Sequence, residues 1–527
     1  MTGASPADTT VQGAVAQPEW QQLDRKSIWV APVQPLAGLL LAGLVAITFR
    51  GWDRFGVIEP AIGAAVAIGV FALSAWHWRT TRYRVTPTHV EMTSGMLVRK
   101  HRSVARDRLR SVDLTSDVVH RLAGLSVVAI GTGRQGGESD DELKLDSVTT
   151  AEAERLRRLL LDRGPRAAAV PVDGAAPAAD AQTAAERAPL AEFDASWVKL
   201  APFSIMGLVA LGLLAGGAAQ LARSVGGDEV WRSGPVRGAW DWVVATPIPT
   251  VVIGGLVALL VLNAVLSTVL YVLFYGGYTL VRADDGTLRI SYGLLTHRSV
   301  SIEERRIRGV RMDEPLMLQL GRGARLRVVA AGLGTKDSEG KEKKDSDMLL
   351  PTAPADVAHR VTADVLGTPT SPVSAPMRRH PAAALRILLL QGVPLALVPA
   401  AVLLVLALIG LVPHWIWQVL LLLVVPAVVG AWLEYRNLGH ARVGEFLVAQ
   451  GGPAGRHTVA VRTDGIIAWQ FRRTVFQRRP RVLTAIAAVA AGKGTQTIKY
   501  ALQDDVLPVA RDCVPGLLDP FLEPDTP

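Results

Sequence analysis

Two hydrophobic patterns alternate along this chain. The first is unbroken: 33–49, 57–76, 200–221, 250–275, 387–412 and 415–433 are apolar throughout, with no Lys, Arg or Asp and with Glu59 near the start of the second. About 20 apolar residues are needed to cross the hydrocarbon core, and these stretches lack the polar stripe of a soluble amphipathic helix. They predict six transmembrane helices in three hairpins. Trp29, Trp52, Trp76 and Trp78 flank the first pair, and Trp415, Trp417 and Trp432 the last, as an interfacial aromatic belt requires. The second pattern has period two. After the first hairpin it predicts strands near 83–85, 89–92, 97–99, 103–104, 109–114, 125–130 and 143–148, with a helical turn at 118–122 and an amphipathic helix over 150–161. After the second hairpin it predicts strands at 279–281, 288–292, 300–302, 310–312, 326–330 and 348–350, then a helix over 355–366.

Hairpin and soluble segment therefore alternate three times. The expected organisation is a disordered or juxtamembrane N-terminus (1–32), hairpin one (33–78), a soluble domain (79–163), an Ala/Pro-rich linker (164–192), hairpin two (193–275), a second soluble domain (276–366), a shorter linker (367–386), hairpin three (387–433) and a degenerate third domain (434–527). The first two domains align without a gap: 95–112 matches 293–310 at a spacing of 198. In the third, 473–483 is read as the counterpart, with its glycine shifted. Prolonged self-similarity of this kind marks a repeat architecture.

A two-span hairpin followed by Gly293-Leu-Leu, a basic stretch, Arg306-Ile-Arg-Gly-Val310, a Leu-xx-Leu-Gly-like turn, a Val-rich strand and a closing helix resembles the bacterial PH-like (pleckstrin-homology-like) membrane proteins. The turn is Val119-His-Arg-Leu-Ala-Gly124 in the first copy and Pro315-Leu-Met-Leu-Gln-Leu-Gly321 in the second. The three-copy layout, with Arg378-Arg-His-Pro-Ala-Ala-Ala-Leu-Arg386 leading into the fifth span, is similar to the YdbT-type members. The resemblance implies a multi-domain membrane protein whose three hairpins are each followed by a cytoplasmic PH-like β-sandwich or barrel with a C-terminal helix. It also implies a smaller PH-like membrane protein as partner and a role in defence against membrane-active agents.

Composition and charge narrow the function. Half the residues are hydrophobic and only 20% are charged, short of the roughly 25% of soluble domains. Lys and Arg concentrate in the long segments, and the short turn after the fifth span has neither, which places both termini and all three domains in the cytoplasm. The single cysteine, Cys513, cannot form an internal disulfide. The match to G-x-G-x-x-G at Gly131–Gly136 runs into the acidic Glu138-Ser-Asp-Asp-Glu142 and another strand. No helix N-terminus is there to meet a pyrophosphate. No H-E-x-x-H, G-x-S-x-G or phosphate-binding glycine loop is present, so no enzyme, metal or cofactor is expected. Nucleic acid is a poor fit because aromatics are not interleaved with the basic residues, except near Trp469 and Phe471.

The strongest chemical signal is arginine clustering. Arg99, Lys100, Arg102, Arg106, Arg108 and Arg110 in the first copy, and Arg298, Arg305, Arg306, Arg308 and Arg311 in the second, form the candidate site for anionic lipid or a partner. Arg472, Arg473, Arg478, Arg479 and Arg481 stand in the third. Alternation predicts one basic face near the bilayer, where each cation near an anionic leaflet contributes about 1 kcal/mol. The expected function is a non-enzymatic scaffold or sensor. The rival is a transporter or channel subunit, for which Asn263 at the centre of the fourth span, Pro394 and Pro399 are the only support. Ser267 lies one turn beyond Asn263, where interhelical hydrogen bonding is the simpler expectation, and Gly254-Gly255 predicts close helix approach.

Overall fold

The computed structural model describes residues 20–40, 58–95, 99–106, 111–131, 142–161, 188–231, 234–283, 286–330, 347–413, 415–492 and 494–521. Each copy builds a small sandwich of two half-sheets with a helix packed on it. In the second copy the first half is Thr279–Arg282, Thr287–Tyr292 and His297–Glu303. The second half is Ile307–Pro315, Gly323–Ala330 and Met348–Pro354, and the helix is Ala355–Leu366. Gly323–Ala330 alternates between buried and half-buried positions over most of its length, which is why its period-two pattern reads as a strand. Leu280, Leu288, Ile290, Ile302, Val310, Leu326 and Val361 form one core between the halves. Val90, Val104, Val112, Ile130, Leu145 and Leu156 do so in the first copy, and Leu447, Val461, Ala485, Ile498 and Val506 in the third.

The three copies correspond in register. Val112 faces Ile130, Val310 faces Val328 and Trp469 faces Ala487 in equivalent ladders, at spacings of 198 and then 159 residues. The same spacings relate the pairs His89–Ala105, Thr287–Glu303 and Phe446–Arg462. This corrects the alignment of the third copy. The counterpart of 293–310 is 452–469, not 473–483, and its glycine is not shifted. Gly95, Gly293 and Gly452 occupy one position and all have positive φ, at 131°, 101° and 123°. A Cβ on Gly293 would overlap the Thr296 carbonyl oxygen, and one on Gly452 the Gly455 carbonyl oxygen, so the turn admits only glycine. The segment 473–483 instead carries the short helix Val475–Arg478, equivalent to Val118–Ala123 and Leu316–Leu320.

Sheets do not stop at copy boundaries. The strand Ser111–Ser116 of the first copy pairs antiparallel with His297–Glu303 of the second, so one seven-stranded sheet holds half of each. Ile307–Pro315 pairs in the same way with Gly455–Arg462 of the third. Both junctions use one register: Val112 faces Ser301, and its equivalent Val310 faces Ala460, the equivalent of Ser301. Side chains reinforce them. The guanidinium of Arg456 grips Glu314 with two nitrogens, at 2.5 and 2.6 Å, and Arg308 meets Asp464 at 3.0 Å. Arg157, buried in the first copy's helix, donates to Ser301 of the second at 3.2 Å.

Two segments expected to be loose are packed. Residues 20–32 contribute a strand pair, Gln21–Gln22 with Tyr83 and Arg82, and bury Leu23 in the first core. The 367–386 segment buries Val373, pairs Arg378–Arg379 with His440 and Gly439, and begins a helix at Ala382. The 164–192 linker lies largely outside the described residues, although its end, Ala191–Glu192, extends the second copy's sheet.

Among the described residues, three helices are long and apolar enough to cross a membrane: Ala61–Thr80, Ile248–Tyr275 and Ala382–Leu408. A bent pair, Ala195–Phe203 and Met206–Gln220, passes the same test together, with a 60° break. The sixth expected span is divided into Trp415–Leu421 and Val424–Asn437, and most of the first lies outside the described residues. The break in the third span explains Asn263 and Ser267. Asn263 donates to the Pro202 carbonyl at 3.2 Å, Ser267 accepts from the Gly207 N–H at 2.9 Å, and Ser267 donates to the Ser204 carbonyl at 3.3 Å. These side chains satisfy backbone groups that the break exposes, which lipid could not do. Helices approach at Gly207, not at Gly254-Gly255, beside which nothing lies within 4 Å among the described residues.

Candidate membrane-proximal basic surface

The apolar helices leave each unit at one end, and hydrogen bonds define that end. Gly293 and Leu294 donate to the carbonyls of Gly276 and Leu273 at the end of the fourth span. Asn437 donates to Gly452 at 2.9 Å, tying the equivalent turn of the third copy to the helix Val424–Asn437. Tyr271 donates to the Thr352 carbonyl at 2.6 Å, and buried Tyr278 donates to that of Leu349. Loss of hydration raises the Tyr278 hydroxyl well above the ordinary phenol range.

The candidate arginines do not share one face at this end. The strand His297–Glu303 starts at the membrane-proximal turn and runs away from it, about 20 Å for seven residues at the usual rise. Arg305 and Arg306 sit on the distal turn Glu304–Arg306, with Arg308 just beyond it. Arg306 pairs with Glu303 at 2.8 Å and Arg308 with Asp464 across the junction. Arg311, midway back, pairs with Asp313 at 2.7 Å. Arg106 donates to the carbonyls of Pro87 and Leu159, which closes the C-terminal turn of the helix Thr150–Leu161, where a cation also meets the negative end of the helix dipole. Arg102 is half-buried on the strand Lys100–Ala105, and Arg298 lies in the first junction opposite Thr115. Arg108 and Arg110 lie outside the described residues. Of the candidates, only Arg99, Lys100 and Arg305 are exposed without an ion pair among the described residues, and of these Arg99 and Lys100 are at the membrane-proximal end.

Arg305 instead lines a small distal cleft of about 240 Å³ with Arg282, Glu304, Arg308, Leu366 and Arg462. Its cations are largely engaged. Arg282 binds Glu304 at 2.5 Å and the Asp364 carbonyl at 2.9 Å, and Arg462 lies over the Phe446 ring.

The sequence shows the short helices of the first two copies only as turns and does not show that of the third, yet all three carry highly exposed apolar side chains. Leu122 is 85% exposed in the first copy, Leu320 74% in the second and Val475 75% in the third, with Met317 and Phe476 on the same helices. Lys26, ahead of the first span, donates to Ala123 at 2.9 Å, and Gln34 donates to Asp117 at 3.2 Å. Gly321 and Gly323 sit against Leu200, and Gly321 also against Phe203, in the segment that leads into the third span. Exposed Arg121, Arg322, Arg478 and Arg479 flank these apolar tips. No group of His, Cys, Asp and Glu among the described residues could hold a metal.

The family comparison agrees with this architecture. The model described as "Bacterial PH domain" matches three segments, 28–164, 243–366 and 389–511, together well over half of the chain. The chain belongs to the bacterial PH domain family. Each of the three segments takes in apolar helix as well as sandwich. This PH-domain protein is also similar to the "UPF0699 transmembrane protein YdbT" of Bacillus subtilis (strain 168). The two are 22% identical over 436 residues, covering 81% of this chain and 84% of the relative. No solved structure matches significantly. Repeated PH-like units, apolar helices and a transmembrane relative make this a membrane protein with three bacterial PH domains.

One titratable pair stands where the helices Ala382–Leu408 and Val424–Asn437 meet the third sandwich. His380 Nε2 and His440 Nδ1 are 3.0 Å apart, both buried, one just before the helix Ala382–Leu408 and the other just after Val424–Asn437. Burial pushes both down to about 4, helped at His380 by His440 and at His440 by Arg378. Because the folded values lie below the unfolded one near 6.5, the unfolded chain binds more protons between pH 6.5 and 4. Stability is therefore full above pH 6.5 and falls as the pH drops toward 4. Thermal unfolding of the detergent-solubilised protein should show this decline, and His440→Gln should flatten it. Parallel wild-type and variant curves would remove the histidines from the account.

Proposed function

We propose that this protein is a non-enzymatic, multi-pass scaffold or sensor of a bacterial cytoplasmic membrane. In this reading six spans hold three PH domains on the cytoplasmic face, and those domains engage anionic lipid. One observation carries it: each copy presents an apolar short-helix tip flanked by exposed arginines at the end from which its spans leave. Such a tip suits the interface, where apolar side chains enter the acyl boundary and cations meet anionic headgroups. The lipid contact thus moves from the strand arginines to the short helices, with Arg99 and Lys100 retained. The use of Asn263 and Ser267 to satisfy a helix break weakens the transporter alternative.

Spin labels in nanodiscs containing phosphatidylglycerol test the reading. Cys513 is buried, so single cysteines at Leu122, Leu320 and Phe476 can be labelled selectively in the full chain. Labels there should be reached by oxygen in preference to a water-soluble nickel chelate, whereas a label at Arg305 should show the reverse. Equal chelate access at all four positions would refute the interfacial placement.

A further inference from the structure

Among the described residues, the repeat leaves two of its junction strands without a neighbouring copy. Ser111–Ser116 and Ile307–Pro315 are each covered by the edge strand of the following copy, but Ile466–Arg472, their equivalent in the third copy, pairs among the described residues with Val482–Val489 alone. At the other end, Lys100–Ala105, the equivalent of the two covering strands, pairs among the described residues with His89–Ser94 alone. The difference shows in burial. Val112 and Val310 are fully buried and Met312 nearly so, while their counterparts Trp469 and Phe471 are only partly buried and Ile467, where the second copy has Arg308, is 65% exposed.

The uncovered strand keeps what the junction needs. A Cβ at Gly309 would overlap the Ala460 carbonyl oxygen, but the first junction forms with Ser111 at the equivalent position, so Ala468, its equivalent in the third copy, does not bar a covering strand. A groove of about 670 Å³ lies beside the strand, lined by Ala468, Trp469, Phe471, Arg472, Gln503 and Leu507 among others. Trp469 and Phe471 stack at 6.0 Å along it, and the covered indole N–H of Trp469 has no acceptor among the described residues.

Charge decides what covers this edge. In the second junction Asp313 faces His457 and Glu314 faces Arg456. The third copy replaces those two acids with Arg472 and Arg473. In the shared register, a second copy of this chain would bring Lys100 opposite Arg472 and Arg99 opposite Arg473, and like charges directly opposite destabilise a ladder. The two ends of the chain therefore repel each other. This also protects an exposed edge from self-association.

We infer that the 466–472 edge is the docking site for a different protein with a PH-like half-sheet, whose edge strand adds antiparallel to it and carries adjacent carboxylates opposite Arg472 and Arg473. Recognition is β-strand addition, with the charge pattern of the internal junction inverted. It is independent of the lipid contact, which uses the short-helix tips.

The test places a photo-crosslinking amino acid, p-benzoylphenylalanine, at exposed Gln470 of the full-length protein in its native cells. The expected adduct joins one other protein, and its crosslinked peptide maps to a strand with two adjacent Asp or Glu residues. Arg472→Glu should lower the yield at least tenfold, Arg472→Lys should keep it, and lysines in place of the partner's acids should restore it to the Arg472→Glu, Arg473→Glu double variant. An adduct with a second copy of this chain, an adduct on a strand without acids, an equal yield in Arg472→Glu, or no adduct at all would each overturn the proposal. None of these outcomes depends on the depth of the short-helix tips, so the lipid reading stands or falls separately.

Discussion

Gly309→Val should part the second and third PH domains. A Cβ there would overlap the Ala460 carbonyl oxygen, and the Val461 Cα lies 2.9 Å from it. The obstacle is backbone rather than a yielding side chain. Overpacking of this kind costs about 3 kcal/mol, and more where the strand separates. Separation would also strip cover from Val310 and Ala460, which are fully buried in the shared core, and would pull apart the ion pair of Arg456 with nearly buried Glu314. Hydrogen exchange should find the amides of Ile307–Pro315 and Gly455–Arg462 losing protection together, with those of the first junction unchanged. The matched control is Ala468→Val, the equivalent position in the third copy, where no strand of this chain lies opposite among the described residues. In the purified protein that change should be nearly silent. Equal losses from both substitutions would show that the shared sheet is not what holds the copies together.

Gly207→Val should have an effect of similar size where the helices Met206–Trp231 and Ile248–Tyr275 pack together. Its Cβ would lie 2.5 Å from the Ser267 hydroxyl oxygen and 2.6 Å from the Asn263 carbonyl oxygen. The helices must separate, and the hydrogen bonds that satisfy the Gly207 amide and the Ser204 carbonyl are lost with the contact. Overpacking together with newly unsatisfied buried groups costs about 4 kcal/mol. Gly254→Val supplies the contrast, because nothing lies within 4 Å of that glycine among the described residues. Thermal denaturation in detergent should rank wild type and Gly254→Val together, with Gly207→Val several degrees lower. The reverse order would mean that the hairpin packs on the face carrying Gly254-Gly255.

Much of this architecture is legible without the structure. Unbroken apolar runs mark the apolar helices, and period-two alternation places the described strands of the first two copies within a few residues. An 8-residue strand such as Val482–Val489 owes its alternation to one buried and one less buried face, so the signal is local. The third copy is the exception, because the basic residues of 473–483 imitate the charge pattern of the other two. The positive-φ glycine, Gly452, is the better landmark, since its requirement comes from backbone geometry rather than from charge. The candidate site is less legible. Alternation says which residues share a strand face but not which end of the strand meets the membrane, nor that Arg306, Arg308 and Arg311 are held by Glu303, Asp464 and Asp313.

By itself, then, the sequence determined the element types, the threefold repeat and the membrane class. Each follows from residues close together in the chain, where periodicity and chain geometry act directly. Only the tertiary structure decided that neighbouring copies share sheets, that 367–386 is packed rather than a linker, that Asn263 serves a helix break, and that 466–472 has no covering strand among the described residues. Those outcomes depend on pairing between residues as far apart as Ser116 and His297. Many strands of similar pattern compete for such pairings, and register, close backbone approach and opposed charge select among them.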